Sequence, residues 1–312
     1  MYELILNIYV FFIGTIFWSF WSVLVERIHS GKKGIVLGRS ECPLCKHTLS
    51  WYELFPIFSW IFLGWKCKKC KASIHWFYPF IEIITGWTFL VLFTKFLPII
   101  DSIFWIALLL FITFLLIVVM VYDIKYMEIP DKIMIPVLFV TVLILCFESF
   151  WNLFYTLSGE TLYQHMLWGV ILYTFFYLQI FLPESYHALL EKKWKYLWEL
   201  IITYILFPIS IVYWYFFPGK NASDDEEMEY AWIGWWDLRL ALFLWLSLGI
   251  TGWIAAIIIS YIIGSIFWIG ILLIHKKRNI RIPFWPFLVI GWILAILFHE
   301  SINSYFINYI YI

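Results

Sequence analysis

The sequence predicts an all-α polytopic membrane protein of about eight transmembrane helices, with one small cytoplasmic four-cysteine domain. Three observations carry this. Hydrophobic residues make up 64% of the 312 and charged residues 13%, with a mean hydropathy of +0.88, far too little polar surface for a soluble chain of this length. Apolar runs of roughly 20 residues, the length that crosses a bilayer, recur from end to end. The one sizeable polar interruption, residues 26–76, holds four of the five cysteines.

Taken in order, the apolar runs cover residues 4–25, 77–97, 103–122, 133–150, 165–182, 197–217, 238–260, 261–274 and 283–298. The first has no basic residues ahead of it, carries Glu3, and lacks a small-x-small cleavage site. It reads as a retained span rather than a cleaved signal. Trp18, Trp21, Trp76 and Tyr78 sit near run ends, where amphipathic rings favour the membrane interface. The expected organisation is a first span over 1–25, a cysteine domain over 26–76, and a membrane domain over 77–312 with an inserted segment at about 183–231.

Orientation follows from lysine and arginine. Segment 26–76 contains Arg27, Lys32, Lys33, Arg39, Lys46, Lys66, Lys68, Lys69 and Lys71; loop 123–132 contains Lys125 and Lys132; loop 275–282 contains Lys276, Lys277, Arg278 and Arg281. All three are expected in the cytoplasm, with the N-terminus outside. The runs between the second and third of these loops start at 133, 165, 197, 238 and 261, an odd set where two loops on one face need an even one. The run 197–217, preceded by Lys192, Lys193 and Lys195 and broken by Pro208, is the expected non-crossing segment. The acidic stretch 224–229 and Asp237 then fall on the cytoplasmic side; the stretch reads as a solvated linker or as an attractor for a basic segment.

Cys42-Pro-Leu-Cys45 and Cys67-Lys-Lys-Cys70 form two CxxC knuckles. Two such turns supply four thiolates for a tetrahedral zinc ion, and four thiolates leave no open coordination position, so the expected zinc is structural. A reducing cytoplasm argues against disulfides. His47 and His75 stand nearby as alternative ligands, and Cys146 sits in an apolar run as a packing residue.

Carboxylates beside membrane spans are costly and call for an explanation. Asp123 directly follows an apolar run and opens Asp123-Ile-Lys-Tyr-Met-Glu-Ile-Pro-Asp131; Asp237 ends Trp232-Ile-Gly-Trp-Trp-Asp237 ahead of another long run. With both at one membrane face, two carboxyls that share a proton could act together, one removing a proton from water and the other donating one. The plainer reading is that each caps a helix end or reaches toward water. Glu82, inside the second span, reads as a partner for a neighbouring helix; Glu148 and Glu300 read as solvent-reaching residues at outer span ends.

At this point the chain resembles the bacterial type IV prepilin peptidases, membrane aspartyl proteases of the GxGD class. Gly38-Arg-Ser-Glu-Cys-Pro-Leu-Cys45, Leu49-Ser-Trp-Tyr-Glu-Leu-Phe-Pro-Ile-Phe-Ser-Trp60 and Lys66-Cys-Lys-Lys-Cys70 look like that family's cysteine domain. Tyr78-Pro-Phe-Ile-Glu82 with Thr85-Gly86 resembles the start of its second span, Asp123 with Ile129-Pro130-Asp131 its first catalytic motif, and Ile282-Pro-Phe-Trp-Pro-Phe287 the start of its final span.

The resemblance implies a bifunctional enzyme of the bacterial inner membrane. Such an enzyme cuts the leader of prepilins or pseudopilins after a glycine with the catalytic pair Asp123 and Asp237, supported by Asp131. It then methylates the new amino terminus with S-adenosylmethionine, a site that Glu82 is the alternative candidate to line. The implied partners are those substrates and membrane lipid, with no nucleic acid. The sequence departs from the pattern at Gly234-Trp-Trp-Asp237, where Trp236 replaces the second glycine, and at Arg239 in place of lysine. Tryptophan removes backbone freedom beside the acid, and arginine keeps the charge but changes the donor geometry. The alternatives are a catalytically silent scaffold for pilus or secretion assembly, and a transporter, which would show midplane polar residues or paired broken helices instead.

Overall fold

The computed structural model describes residues 2–30, 39–100 (Pro43 excepted), 102–127, 162–190, 192–194, 197–198, 201, 235–275, 283 and 285–309; within 162–190 and 235–275 many side chains, those of 235–247 among them, are outside the description. The described residues are helical, and their β-structure is limited to two isolated bridges, Glu41 with Thr48 and Lys66 with Ser73.

The helices are α1 (Tyr2–His29), α2 (Phe58–Phe62), α3 (Phe77–Phe96), α4 (Ile103–Tyr126), α5 (Leu162–Leu190), α6 (Trp235–His275), α7 (Trp285–Leu297) and α8 (His299–Tyr309), with a 3-10 turn at Trp51–Glu53 between α1 and α2. Among the described residues, four stretches are long and apolar enough to cross a membrane: α1, α3, α4 and Leu248–Ile274 of α6. The pair α7 and α8, bent by 80° at Phe298, makes a fifth if counted as one broken span. The expected span 133–150, most of 197–217 and the acidic stretch 224–229 lie outside the described residues.

The chain divides into two compact units. One comprises 1–133 and 274–289, the other 134–273 and 290–312.

In the first unit α1 and α3 pack at their closest through glycine on both sides. A Cβ on Gly14 would come within 2.9 Å of the Gly86 Cα, and one on Gly86 within 2.9 Å of the Phe11 ring. Small residues that let two backbones approach are the usual means of holding helices together where lipid removes the hydrophobic drive. Phe11 and Trp87 close the crossing edge to face, with ring centroids 6.0 Å apart. Phe17 and Trp21 both meet Phe114 of α4 edge-on, with ring centroids 5.3 and 5.5 Å apart. α4 is buried almost continuously from Ile112 to Asp123.

In the second unit Gly291 of α7 lies against the backbone of Ala256 and the hydroxyl of Ser260 in α6. Thr251 donates to Asn303 Oδ1 at 2.8 Å, tying α6 to α8.

Two expected boundaries need correction. The break anticipated between residues 260 and 261 is absent, because Ser260 satisfies its hydroxyl on the Ala256 carbonyl inside the helix and so has no need to end it. The interruption sits at Gly249, with φ 66° and ψ −176°, a conformation that glycine reaches without a Cβ penalty. The expected span 165–182 also runs on through Pro183 to Leu190.

Candidate functional site

Two polar constructions stand out in the first unit. The first is the cysteine cluster. Each knuckle is a tight local turn repeated almost bond for bond. The Cys42 N–H donates to the His47 carbonyl and the Lys46 N–H to the Cys42 carbonyl, both at 2.9 Å; the Cys67 N–H donates to the Ala72 carbonyl at 2.8 Å and the Lys71 N–H to the Cys67 carbonyl at 3.0 Å. Lys46 and Lys71, each directly after the second cysteine, hold positive φ of 54° and 60°. The chain reverses there, and the following backbone closes each turn through the bridges Glu41–Thr48 and Lys66–Ser73.

The four Sγ atoms lie within 4.8 Å of one another, with Cys42 to Cys70 at 3.8 Å and Cys45 to Cys67 at 3.9 Å. Sulfur ligands about 2.3 Å from a tetrahedral zinc stand about 3.8 Å apart, so the spacing suits such an ion and is far beyond a disulfide bond. All four thiols are free. Backbone N–H groups of Cys45 and Leu44 pull the Cys42 thiol down to about 7, and those of Cys70 and Lys69 pull Cys67 down. At Cys70 the Ala72 N–H favours the thiolate, but burial and the neighbouring thiols outweigh it and push the group up to about 11. Four sulfurs this close cannot all ionise without a cation to share, and that is the electrostatic case for a metal here.

The two histidines are engaged elsewhere. His47 Nε2 faces Glu53 Oε2 at 3.5 Å, and that oxygen also accepts the Ser50 N–H at 2.8 Å. The Glu53 carboxyl is held below its usual range: burial opposes this, but the Ser50 N–H and His47 prevail. His75 Nδ1 accepts the Phe77 N–H at the start of α3. Cys146 lies outside the described residues.

The second construction is the end of α4. Asp123 is only 5% exposed although it lies in the last turn of the helix, one turn before Met127 closes it in a left-handed cap with φ 54°. Its Oδ2 accepts the backbone N–H of Trp285 at 3.2 Å. Trp285 is the first residue of α7, so the carboxylate faces an open helix N-terminus, where N–H groups lack partners within the helix and negative charge is favoured.

Around this end lies a polar cluster that the sequence reading did not single out. Lys125 Nζ donates to Glu26 Oε2 at 3.3 Å and to the Tyr78 hydroxyl at 3.4 Å, while the Tyr126 hydroxyl donates to the same Glu26 oxygen at 3.0 Å. His29 stacks on Tyr126 with ring centroids 3.6 Å apart, and its Nδ1 lies 3.3 Å from the Tyr122 hydroxyl. The C-terminal ends of α1 and α4 and the start of α3 therefore share one face of the bundle, as the basic loops require. The available signal was Tyr122 and Tyr126 flanking Asp123 at helical spacing, together with Glu26 just past an apolar run. A cleft lined by Trp18, Ser22, Val25, Phe77, Tyr78, Val121 and Lys125 opens beside this cluster.

Of the other sequence-predicted residues, Asp237, Trp236 and Arg239 fall in the first turns of α6, and their side chains are outside the description; Gly234 and Asp131 lie outside the described residues altogether. Glu82 is buried in α3, where it accepts the N–H of Ile57 at 2.8 Å and, as expected, also meets a neighbouring helix through the Ser19 hydroxyl of α1. Glu300 is solvent-exposed, as expected, and Glu148 is outside the described residues.

Residues 12–96 match the family described as the bacterial peptidase A24 N-terminal domain. Over 280 residues the chain is 27% identical to a prepilin leader peptidase/N-methyltransferase of Aeromonas salmonicida, an alignment that spans 88% of this chain and 76% of that protein. A protein of the same name from Bacillus subtilis is 36% identical over 128 residues, 40% of this chain and 48% of the relative. One from Myxococcus xanthus is 38% identical over 82 residues, 26% and 24% of the two chains. No solved structure matches.

Proposed function

We propose, for a chain similar over most of its length to prepilin leader peptidases, that it removes the leader of type IV prepilin-like proteins at the cytoplasmic face of the inner membrane, using Asp123 and Asp237 as a carboxyl pair. The relatives' shared name carries the first half of this reading. The observation that carries the second is Asp123 itself, an almost fully buried carboxylate at the end of the most buried helix, set against the N–H of Trp285. A carboxylate so placed is neither reaching for solvent nor capping its own helix, the two plain explanations for an acid at a span end.

In this reading one carboxylate takes a proton from water as the water oxygen bonds to the scissile carbonyl carbon, and the other, protonated, donates toward the carbonyl oxygen. Collapse breaks the C–N bond, and the proton passes to the departing amine. The Trp285 N–H directed at Asp123 Oδ2 fixes the orientation of that carboxyl at the end of α4. Asp131 supports it from the following loop, and Trp236 narrows the approach to Asp237, with Arg239 supplying the charge next to it. The membrane domain brings the chain to about eight spans in all.

The four-cysteine domain holds a structural zinc through Cys42, Cys45, Cys67 and Cys70, and the chain N-methylates the new terminus, as the relatives' name covers both activities. S-adenosylmethionine would supply the methyl group. No residue is assigned to it, because Gly31 and Gly34 lie outside the described residues and the described glycines serve helix packing and turns.

The test is co-expression with a prepilin and mass spectrometry of its N-terminus. A shortened substrate with the unmutated protein, and an intact leader with Asp123→Ala or Asp237→Ala, is the expected result. An intact leader with every version sinks the peptidase reading for that substrate and favours a silent scaffold, with Trp236 as its mark.

A further inference from the structure

The cysteine domain is not a wholly water-exposed module. Between its two knuckles runs Trp51-Tyr-Glu-Leu-Phe-Pro-Ile-Phe-Ser-Trp-Ile-Phe-Leu-Gly-Trp65, a stretch without a lysine or arginine. Its apolar side chains are turned outward: Phe62 is 82% exposed, Ile61 55%, and Phe55 and Phe58 are also exposed. Water does not favour such a surface, and a contiguous patch of this kind marks an apolar partner.

Three contacts fix the depth at which the segment sits. Ser19 of α1 donates to the Leu54 carbonyl at 3.3 Å; Glu82 of α3 accepts the Ile57 N–H at 2.8 Å; the Phe58 ring stacks on Phe12 of α1 at 6.1 Å. Glu26 is the last charged residue toward the apolar body of α1. At the helical rise, Ser19 lies about 10 Å and Phe12 about 21 Å further in, against a hydrocarbon core about 30 Å thick. Ile13, Ile16, Phe17 and Phe20 of α1, at these same levels, are exposed large hydrophobics, the lipid-facing surface of a spanning helix. The apolar face of residues 54–63 is continuous with it.

We propose that residues 54–63 form a re-entrant hairpin that dips into the bilayer beside α1 and α3, its outer face covered by lipid acyl chains. Irregular backbone survives at membrane depth only where protein satisfies its polar groups. That condition accounts for two otherwise costly residues. Glu82 takes the N–H of Ile57, a β-branched residue held at φ 61° where the chain turns, and Ser19 takes the Leu54 carbonyl. Most of the remaining N–H groups are closed locally, Ser59 on Phe55, Ile61 on Ile57, Leu63 on Ser59 and Trp65 on Trp60. Trp51 and Trp65, both exposed, flank the hairpin as interfacial rings do, and Gly64 at φ 58° turns the chain back toward the second knuckle.

The inference needs no assumption about the reaction. Its test uses the full chain in phosphatidylcholine vesicles containing a lipid with a photoreactive diazirine at the acyl-chain end, with adducts mapped by mass spectrometry. Adducts on Phe55, Phe58, Ile61 and Phe62 at a level comparable to those on Phe17 and Phe20 are expected. Labelled α1 with unlabelled 54–63 would overturn the proposal, whether water or another protein covers the segment. Glu82→Leu should lose the adducts on 54–63 while α1 keeps its own, and Glu82→Gln, which retains an oxygen for the Ile57 N–H, should keep both. Full labelling in Glu82→Leu would overturn the role given to Glu82.

Discussion

Four thiols gathered by two short turns and one carboxylate gathered by two distant helices are opposite ways to build a polar site. At the knuckles each donor is placed by hydrogen bonds spanning five residues or so, Cys42 to His47 and Cys67 to Ala72. At the end of α4, Asp123 accepts the N–H of Trp285, far along the chain, and is placed by packing. A locally built site can assemble or melt by itself, whereas a packed one can fail only with the bundle. The two should therefore respond to mutation independently.

The largest expected effect is at Asp123. Asp123→Asn should lower leader cleavage by about a thousandfold or more, the usual contribution of a positioned acid or base, with little change in thermal stability measured on the purified protein. A parallel collapse of stability would move Asp123 from chemistry to architecture. Next comes Cys42→Ser, or chelation of the metal. Removing one of four ligands should release zinc, measured by elemental analysis, and expose 39–76 to proteolysis, since metal binding and folding are one equilibrium in so small a domain. Cleavage of the leader should survive. Third, Gly86→Leu forces a side chain against Phe11 and should cost about 1–3 kcal/mol of stability in denaturant titration. It should reduce both activities together, because α3 carries the Glu82 anchor on one side and borders α4 on the other. The smallest effect is at Lys125→Met. Its ion pair with Glu26 is partly solvated and should contribute about 1 kcal/mol or less, diminishing with added salt.

How much of this was legible in the sequence follows the same division. The cysteine cluster was readable because CxxC spacing and the turn that it makes are local. Asp123 was readable as a cost, a charge abutting an apolar run, but its partner was not, since no local rule links it to a backbone N–H at Trp285. Glu82 was similarly visible as an anomaly without a visible reason. The reason is the irregular backbone at Ile57, a tertiary contact. The fold was read well where apolar length decides, as in α1, α3 and α4. It was misread where length is ambiguous: the long run through α6 offered Ser260 as a break, and backbone freedom at Gly249 made the break there instead. Pro183 likewise did not end α5.

The separation of the two sites is tested most directly on one substrate. A prepilin co-expressed with the unmutated chain, with Asp123→Asn and with Cys42→Ser should show, by mass spectrometry of its N-terminus, a cleaved leader with the first and third and an intact leader with the second. A leader still removed at the normal rate by Asp123→Asn would contradict the account.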